Sequence, residues 1–297
     1  MRGIRCLVTG ASGFLGRHLL AALEREGAEV VAVSRRPPAD APPAARWLEV
    51  DLGDREAVRA ALDETRPEVV LHLASLVTGK RDLELVDLTL RANLLSTVHL
   101  LEAATRIGSR RVVLAGSQEE PEAGSSEPPG SPYAAAKAAA SVYGSFFHAL
   151  YGTPVVTARI FMVYGPGQED TSKLVPATIL SALAGERPKI SSGKRPVDWI
   201  YVEDVAAGLL ALATAEGIEG ETLDLGSGEL VTVRDVAERI CRAVGVAGPE
   251  VGAVADRPLE VVRRADPERT RERTGWSPRV GLDEGLGRTI AHYREGR

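Results

Sequence analysis

Short apolar runs alternate with longer amphipathic stretches through the first half of this chain. The runs are rich in β-branched residues, which is typical of buried strands; they are residues 4–8, 29–33, 47–50, 69–72, 111–115 and 155–160. The stretches between them carry apolar residues at helical spacing, over residues 14–26, 56–64, 88–107 and 133–151. This alternation predicts an α/β fold with a doubly wound parallel sheet, covered by helices on both faces.

The composition is that of an ordinary globular protein and narrows the class of partner. Of the 297 residues, 44% are hydrophobic, and the net charge of −5 disfavours nucleic acid, whose partners usually present a basic face. No apolar run approaches the roughly 20 residues of a membrane helix, and residues 4–8 are too short for a signal peptide. Cys6 and Cys241 stand alone, without metal-ligand spacing. We therefore expect a cytoplasmic protein that binds neither nucleic acid, membrane nor metal.

A glycine-rich turn follows the first predicted strand and opens the first predicted helix, in the order Gly10-Ala-Ser-Gly13-Phe-Leu-Gly16. Gly10 permits the tight turn, Gly13 lets a pyrophosphate approach the backbone, and Gly16 allows the helix to pack closely on the strand. The helix N-terminus then presents free N–H groups and a partial positive charge to the anion. The arrangement predicts a Rossmann-type dinucleotide site. The further contacts that we expect from this turn are Ser12, Phe14 and Leu15.

The regular alternation ends near residue 165, which suggests how the chain is divided. Helical spacing continues at residues 172–184, 205–213, 233–244 and 281–293, with shorter units between them. We expect a dinucleotide-binding domain over residues 1–165, completed by returning segments from the C-terminal half. Residues 166–297 are then mainly a smaller substrate-binding lobe at the carboxyl edge of the sheet, where open α/β sheets bind ligands.

The end of the second predicted strand indicates which dinucleotide binds. A site specific for NAD places Asp or Glu there, on the ribose hydroxyls. This chain has Ser34, Arg35 and Arg36 instead, so no acid repels a 2′-phosphate. One charge-assisted hydrogen bond to that phosphate contributes about 1.5–3 kcal/mol, and we therefore predict NADP(H) as the cofactor. Asp51 follows the third strand, where it can accept a hydrogen bond from the adenine amine, and Leu52 lies beside it.

Three residues carry the predicted catalytic chemistry. Tyr133 and Lys137 stand at i, i+4 spacing near the start of an Ala-rich helix, so that phenol and ammonium share one face. The lysine charge is expected to lower the pKa of the phenol, which makes it a usable acid. Ser117 ends the fifth strand, where its hydroxyl can polarise a substrate carbonyl. General acid catalysis of this kind supplies roughly 10²–10⁴-fold.

Together these residues resemble the extended short-chain dehydrogenase/reductase family, of the NAD-dependent epimerase/dehydratase type, over essentially the whole chain. Other stretches similar to that family's pattern are His72-Leu-Ala-Ser75, Asn93, Arg159-Ile-Phe-Met-Val-Tyr-Gly-Pro166, Asp198-Trp-Ile-Tyr-Val-Glu-Asp204 and Thr274-Gly-Trp-Ser-Pro278. The resemblance implies that the dinucleotide is lined by Leu73, Ala74, Ser75, Asn93 and Phe161. It also implies a homodimer through the helices around Asn93 and Tyr133.

The likeness is greatest to bacterial nucleotide-sugar 4-ketoreductases, many of whose relatives bind nucleotide-linked sugars under the C-terminal lobe. It implies NADPH-dependent reduction of a nucleoside-diphosphate 4-keto-6-deoxysugar, with Tyr133 as the acid. The substrate-binding residues that we expect are Ser117, Met162, Arg195 and Arg257, the last matching an arginine that binds the diphosphate.

Three departures from the family pattern keep other functions open. Val197 stands where a phosphate-binding arginine is common, Met162 replaces an asparagine, and Pro121-Glu122 replaces Tyr-Gly. The first alternative is an epimerase or a 4,6-dehydratase that retains NAD, although Gln118 occupies the first place of the acidic pair that a dehydratase needs. A second is a reductase of a ketone without a nucleotide. A third is a non-catalytic NADP-binding sensor, against which the intact Ser117, Tyr133 and Lys137 argue.

Overall fold

A computed structural model describes residues 1–39, 41, 45–122, 124–256 and 258–296. Its strands are β1 (Arg5–Thr9), β2 (Glu29–Ser34), β3 (Ala45–Glu49), β4 (Val69–His72), β5 (Arg111–Ser117), β6 (Val155–Ile160), β7 (Met162–Tyr164), β8 (Lys189–Ile190), β9 (Pro196–Tyr201), β10 (Thr222–Leu225), β11 (Leu230–Thr232) and β12 (Glu250–Val251). Its α-helices are α1 (Phe14–Arg25), α2 (Arg55–Thr65), α3 (Leu85–Thr89), α4 (Ser96–Ile107), α5 (Pro132–Tyr151), α6 (Leu174–Leu183), α7 (Val202–Thr214), α8 (Val233–Val244), α9 (Pro267–Thr274) and α10 (Leu282–Glu295).

Seven parallel strands form the central sheet, in the order β3-β2-β1-β4-β5-β6-β10. The chain winds outward from β1 in both directions, so the order reverses between β1 and β4 and leaves a crevice at the carboxyl ends of these strands. The predicted α/β class and the doubly wound parallel sheet are confirmed.

The strands are buried on both faces because successive side chains point to opposite sides of the sheet. Cys6 and Val8 of β1 pack in one apolar cluster with α1 and α7, whereas Leu7 packs in a second cluster with α2 and α4. This double burial explains why the strands read as continuous apolar runs in the sequence.

Two elements from the second half of the chain belong to the central sheet and its helical layer. Strand β10 pairs with β6 at the edge, and α7 packs against α1. Strands β7 and β9 and helices α6, α8 and α10 surround a third apolar cluster, which contains Tyr164, Trp199 and Tyr201. Here β11, β9 and β7 form a small sheet, and β12 pairs with β8. The domain boundary near residue 165 stays a prediction.

The structure differs from the sequence expectation mainly in short elements. Residues 88–107 were expected to be one helix, but α3 is followed by a π-helix over Leu90–Leu95, and α4 begins only at Ser96. The strands with two or three residues were missed, because so few positions show no alternation. Both cysteines are free and buried. Within the described ranges no helix combines the length and apolarity that crossing a bilayer requires.

Candidate active site

The glycine-rich turn lies between β1 and α1, at the crevice of the sheet. Gly10 has a φ of +66°, which favours glycine, and a Cβ there would lie 2.7 Å from the backbone nitrogen of Ala74. A Cβ on Gly16 would overlap the carbonyl oxygen of Gly10 and lie 2.8 Å from the Cα of Ala11. The roles predicted for Gly10 and Gly16 therefore match the geometry, since both positions exclude any side chain.

The N-terminus of α1 is open to an anion. Its N-cap residue, Gly13, is extended and has no side chain to accept a hydrogen bond, and the first turn holds no acidic residue. The N–H groups of the turn therefore keep their partial positive charge for a ligand. Ser12, Phe14 and Leu15 lie in this turn, as expected, and the ring of Phe14 packs at an edge-to-face angle on His18.

The side chains expected to select the cofactor lie at the end of β2. Ser34 is the last residue of that strand and is only 8% exposed; within the described residues its Oγ atom has no hydrogen-bond partner. Arg35 and Arg36 are exposed immediately beyond it. A buried hydroxyl without a partner is costly unless a ligand completes its hydrogen bonding. The described residues at this position therefore fit the ribose end of a dinucleotide.

Asp51 and Leu52 follow β3 on the same side of the crevice. The Oδ1 atom of Asp51 accepts a hydrogen bond from the backbone N–H of Gly53 at 2.9 Å, which fixes the carboxylate in a turn. The carbonyl of Leu52 contacts the ring of His99 on α4 at 3.1 Å. Their contacts with the adenine stay predictions.

A buried hydrogen-bond chain holds the end of β4 in place. The backbone N–H of Ala74 donates to the hydroxyl of Thr9, which lies 2.7 Å from Nδ1 of His72. Nε2 of His72 lies 3.0 Å from the hydroxyl of Thr97, and that hydroxyl donates to the carbonyl of Asn93. The chain is consistent with a neutral imidazole that accepts at Nδ1 and donates at Nε2. Burial, and then the charge of Lys137, lowers the pKa of His72 to about 3.

Asn93 is fully buried in the π-helix, one of the elements that the sequence did not predict. Its side-chain oxygen accepts from the backbone N–H of Leu76 at 2.7 Å and from the hydroxyl of Ser75 at 3.1 Å, and its amide donates to the carbonyl of Leu76. The expected strip of Leu73, Ala74 and Ser75 is thus held by Asn93 on one side and packs against Gly10 on the other. Single π-turns within helices often occur at functional sites.

The three predicted catalytic residues come together at the carboxyl end of β5. Ser117 is its last residue; its hydroxyl accepts a hydrogen bond from the backbone N–H of Glu119 at 3.1 Å and lies near enough to Tyr133 to favour a lower pKa of the phenol. Tyr133 and Lys137 are buried, one turn apart on α5, and the ammonium of Lys137 donates to the carbonyl of Ala115 at 2.8 Å. Helix α5 begins here because the hydroxyl of Ser131 caps the N–H of Ala134 and because proline occupies the first turn.

Burial dominates the protonation of this trio. It lowers the pKa of Lys137 to about 8, against the opposing charge of Glu120. It raises the pKa of Tyr133, against the opposing effect of the Ser117 hydroxyl. The expected lowering of the phenol pKa is therefore wrong for this structure, because desolvation decides the direction. A phenol that stays protonated is nevertheless suited to donate a proton.

Known proteins resemble this chain over almost its whole length. The chain matches the NAD dependent epimerase/dehydratase family over residues 6–226. It is 32% identical to a dTDP-glucose 4,6-dehydratase of Streptomyces antibioticus over 316 residues, covering 98% of this chain and 92% of that protein. The chain belongs to the NAD-dependent epimerase/dehydratase family. The resemblance inferred from the motifs is confirmed.

Two solved structures of UDP-glucose 4-epimerases share the whole fold of this family member. One is the epimerase of Thermus thermophilus in complex with NAD, which is 32% identical, with a TM-score of 0.86 and coverage of 99% of this chain and 100% of the other. The second is the Thermotoga maritima epimerase with UDP-glucose, which is 25% identical, with a TM-score of 0.89 and coverage of 99% of both chains.

The residues expected to bind the substrate are less well defined than the catalytic trio. Met162 lies in β7, paired with Trp199 of β9. Arg195 forms an ion pair with Glu260 at 3.0 Å and donates to the carbonyl of Val261, while within the described residues its buried Nε has no hydrogen-bond partner. Arg195 therefore already has a counter-charge, and its binding of a diphosphate stays a prediction. Arg257 lies outside the described residues.

Two further residues lie in surroundings that the sequence did not indicate. Phe161, expected at the cofactor, is buried in the apolar core against Gly226, and its approach to the dinucleotide stays a prediction. Glu120 was not singled out, because it stands at the start of an acidic segment rich in Pro and Gly, which reads as a surface loop. The structure buries it beneath Ser117, where its carboxylate accepts the backbone N–H of Ser117 at 2.6 Å. The only sequence feature that could have indicated a role for Glu120 is its place as the second acid after Ser117.

Proposed function

We propose that this chain transfers hydride at C4 of a nucleoside-diphosphate sugar and that its net reaction is the epimerisation of that sugar. The observation that carries the proposal is the buried cluster of Ser117, Tyr133 and Lys137 at the carboxyl end of β5, on the same edge of the sheet as a glycine turn that excludes side chains. The similarity to epimerases over the whole chain supports the substrate class.

The residues of the trio have separate tasks in this reaction. In the oxidation step Tyr133 would have to accept the proton of the C4 hydroxyl as the phenolate, and in the reduction step it would return that proton as the phenol; its buried position places it for both. The hydroxyl of Ser117 holds the same sugar oxygen and stabilises it as a carbonyl. Lys137, fixed by the carbonyl of Ala115, contributes a positive charge near the phenol. A nicotinamide held by the glycine turn would supply the hydride acceptor for C4 and, once the keto sugar presents its opposite face, the donor that completes the inversion.

Epimerisation is favoured over dehydration by the residue that follows Ser117. Loss of water from the sugar needs a proton donor and a base at neighbouring carbons, and Gln118 occupies the place of the first acid. Its backbone N–H donates to the carbonyl of Ile160, and its own carbonyl accepts from Arg263 at 3.4 Å. The amide of Gln118 is not an acid at neutral pH, so the position directly after Ser117 lacks the proton donor that a dehydratase has there.

The test is to purify the chain, identify any dinucleotide that accompanies it, and incubate it with UDP- and dTDP-linked glucose. We expect bound NAD and formation of the C4 epimer, measured by chromatography of the released sugars. Formation of a 4-keto-6-deoxysugar would assign a dehydratase instead. Turnover of a simple ketone, with no reaction of any nucleotide-linked sugar, would overturn the proposal.

A second candidate, the NADPH-dependent reduction of a nucleoside-diphosphate 4-keto-6-deoxysugar, is favoured by one specific observation. The end of β2 carries the unpaired hydroxyl of Ser34 and the exposed Arg35 and Arg36, where an NAD site has an acid. A reductase releases its cofactor at each turnover, so its site is expected to be empty after purification and to accept NADPH. The two candidates share Tyr133 and Ser117 and differ in the fate of the hydride.

We expect Arg35→Asp to shift the cofactor preference from NADPH toward NADH by tenfold or more. The new carboxylate would repel a 2′-phosphate and accept the ribose hydroxyls, and the lost hydrogen bond alone contributes about 1.5–3 kcal/mol. The measurement is the ratio of the Kd values for NADPH and NADH. Arg25→Asp makes the same charge change in the last turn of α1, at the end of the helix away from the glycine turn, and is the control. Equal affinities for both cofactors in the unaltered chain would remove the case for the second candidate.

We also propose that the chain forms a homodimer through α3, the π-helix and α5. One apolar stripe on α5 contains Val142, Phe146 and Leu150, and it is exposed, with Val142 at 66%. A second stripe on the neighbouring segment contains Leu83, at 81%, and Val86. Two adjacent apolar helical faces are expected to pair with the same faces of a second copy about a twofold axis.

Val142→Asp is expected to convert a dimer into a monomer, because a charge buried at the centre of this contact has no partner. Val254→Asp places the same charge at an exposed valine of the C-terminal half and is expected to leave the mass unchanged. Sedimentation or light scattering at micromolar concentration distinguishes the two. A monomeric unaltered chain, or a variant that stays dimeric, would contradict this interface.

A further inference from the structure

Glu120 is a buried carboxylate next to the catalytic trio. Neither the hydride transfer proposed above nor the binding of phosphate at the glycine turn requires it. It is 5% exposed. Its Oε1 atom accepts the backbone N–H of Ser117 at 2.6 Å, and its Oε2 atom accepts the hydroxyl of Ser141 at 2.8 Å. Burial raises the pKa of Glu120, and these two donated hydrogen bonds act in the opposite direction by favouring the ionised carboxylate.

These contacts join the end of β5 to α5. Ser141 stands one turn beyond Lys137 on the helix, and Ser117 is the last residue of the strand. The carboxylate fits closely, because a Cβ on Gly116 would lie 2.9 Å from Oε1. Glu120 therefore bridges the strand that carries the catalytic hydroxyl and the helix that carries the phenol and the ammonium.

The charges that face Glu120 come from three other parts of the chain. They are Lys137 and the phenol of Tyr133 on α5, Arg159 on β6, and Arg263 before α9. Arg159 is paired with Asp224 at 3.0 Å, and Arg263 lies 3.7 Å from Glu122. For Lys137, burial lowers the pKa of the ammonium, and the charge that opposes this within the described residues is Glu120. The two arginines thus have other counter-charges, whereas Lys137 depends on Glu120.

We propose that Glu120 is a positioning residue of this active site: its carboxylate fixes Ser117 against α5 and places a negative charge on that helix, one turn from Lys137. The proposal rests on the proposed function only in treating Ser117, Tyr133 and Lys137 as the groups that handle the proton. It assigns no contact between Glu120 and the substrate.

The expected consequences of Glu120→Gln follow from the sign of the lost charge. Without a neighbouring anion, the protonated form of Lys137 is less stable, so its pKa falls below about 8. The negative charge also disfavours the phenolate of Tyr133, so its removal lowers the pKa of that phenol. The alkaline limb of the pH profile of kcat, where Lys137 loses its proton, is therefore expected to move to lower pH by roughly one pH unit, while the KM is little changed.

The first experiment titrates Lys137 directly and needs no substrate. The chain has only five lysines, Lys80, Lys137, Lys173, Lys189 and Lys194, so that the ε-carbons of ¹³C-labelled lysine give few NMR signals. Lys137→Arg assigns the signal. We expect a titration near pH 8 in the unaltered chain and a lower midpoint in Glu120→Gln. Glu122→Gln, which removes an exposed charge from the same loop, is the matched control and is expected to leave the midpoint unchanged.

Two further variants distinguish the effect of the Glu120 charge on Lys137 from any disturbance of the local structure. Ser141→Ala removes one hydrogen bond and keeps the carboxylate, so Lys137 is expected to titrate as in the unaltered chain. Glu120→Asp keeps the charge, so the midpoint of Lys137 is expected to stay closer to that of the unaltered chain than it does in Glu120→Gln. This variant also serves if Glu120→Gln folds poorly.

An unchanged Lys137 midpoint in folded Glu120→Gln, or an equal shift in Glu122→Gln, would overturn the proposal. The NMR result stands apart from the substrate: if no nucleotide sugar is turned over but the Lys137 midpoint moves as expected, only the proposed function has failed.

Discussion

Tyr133→Phe is expected to reduce turnover by roughly 10²–10⁴-fold and to leave the Kd of the cofactor nearly unchanged. The change removes only the phenolic hydroxyl, which is buried beside Ser117 at the end of β5. The apolar ring keeps its packing, and the glycine turn that would hold the dinucleotide lies on other elements. Turnover is measured under conditions where chemistry limits the rate, and cofactor binding is measured by fluorescence titration.

Tyr143→Phe is the matched control for this experiment. It makes the same substitution on the same helix, but Tyr143 is exposed and forms an edge-to-face contact with Phe146 rather than with a catalytic group. We expect it to keep full activity. If the Tyr133→Phe variant retained more than about a tenth of the unaltered turnover, well above the loss of a general acid, Tyr133 would not be the proton donor.

The second large effect is expected from Gly16→Ala, which should weaken dinucleotide binding about a hundredfold or more, equivalent to about 2.7 kcal/mol. The added Cβ would overlap the carbonyl oxygen of Gly10 and approach the backbone of Ala11 to 2.8 Å. These are backbone atoms, so relief requires α1 to move away from β1. That movement displaces the N–H groups that face the pyrophosphate.

Gly287→Ala provides the comparison, because it lies in α10 and a Cβ there meets no atom within 4 Å. It is expected to preserve cofactor binding and to stabilise its helix by up to about 1 kcal/mol. The Kd and the Tm are measured for both variants. Tight cofactor binding by folded Gly16→Ala would show that the turn is not the phosphate site.

Much of the catalytic geometry could be predicted because it depends on short-range patterns. Tyr133 and Lys137 share a face through helical spacing alone, and Ser117 reaches them because it ends a strand of a parallel sheet, whose carboxyl ends lie at one edge. Gly10 and Gly16 were recognisable because a turn between strand and helix has strict backbone requirements. All these residues lie where the motifs placed them.

The remaining features depend on contacts between distant segments. The pKa of Tyr133 was expected to fall, but the sequence does not show how deeply the phenol is buried, and desolvation reverses the direction. The π-helix around Asn93 arises where the side chain turns inward to hold Ser75 and Leu76, a contact that helical periodicity does not reveal.

The sequence by itself determined the α/β class, the family, the glycine turn and the catalytic trio, because each follows from periodicity or from a motif within a few residues. Only the tertiary structure decided which charges are paired. It joined Arg195 to Glu260 across 65 residues and buried Glu120 between Ser117 and Ser141. Chain composition around Glu120 indicates an exposed loop. A carboxylate is stable in the interior only where hydrogen-bond donors and cations from other elements surround it. A local sequence pattern does not show which distant residues will lie there.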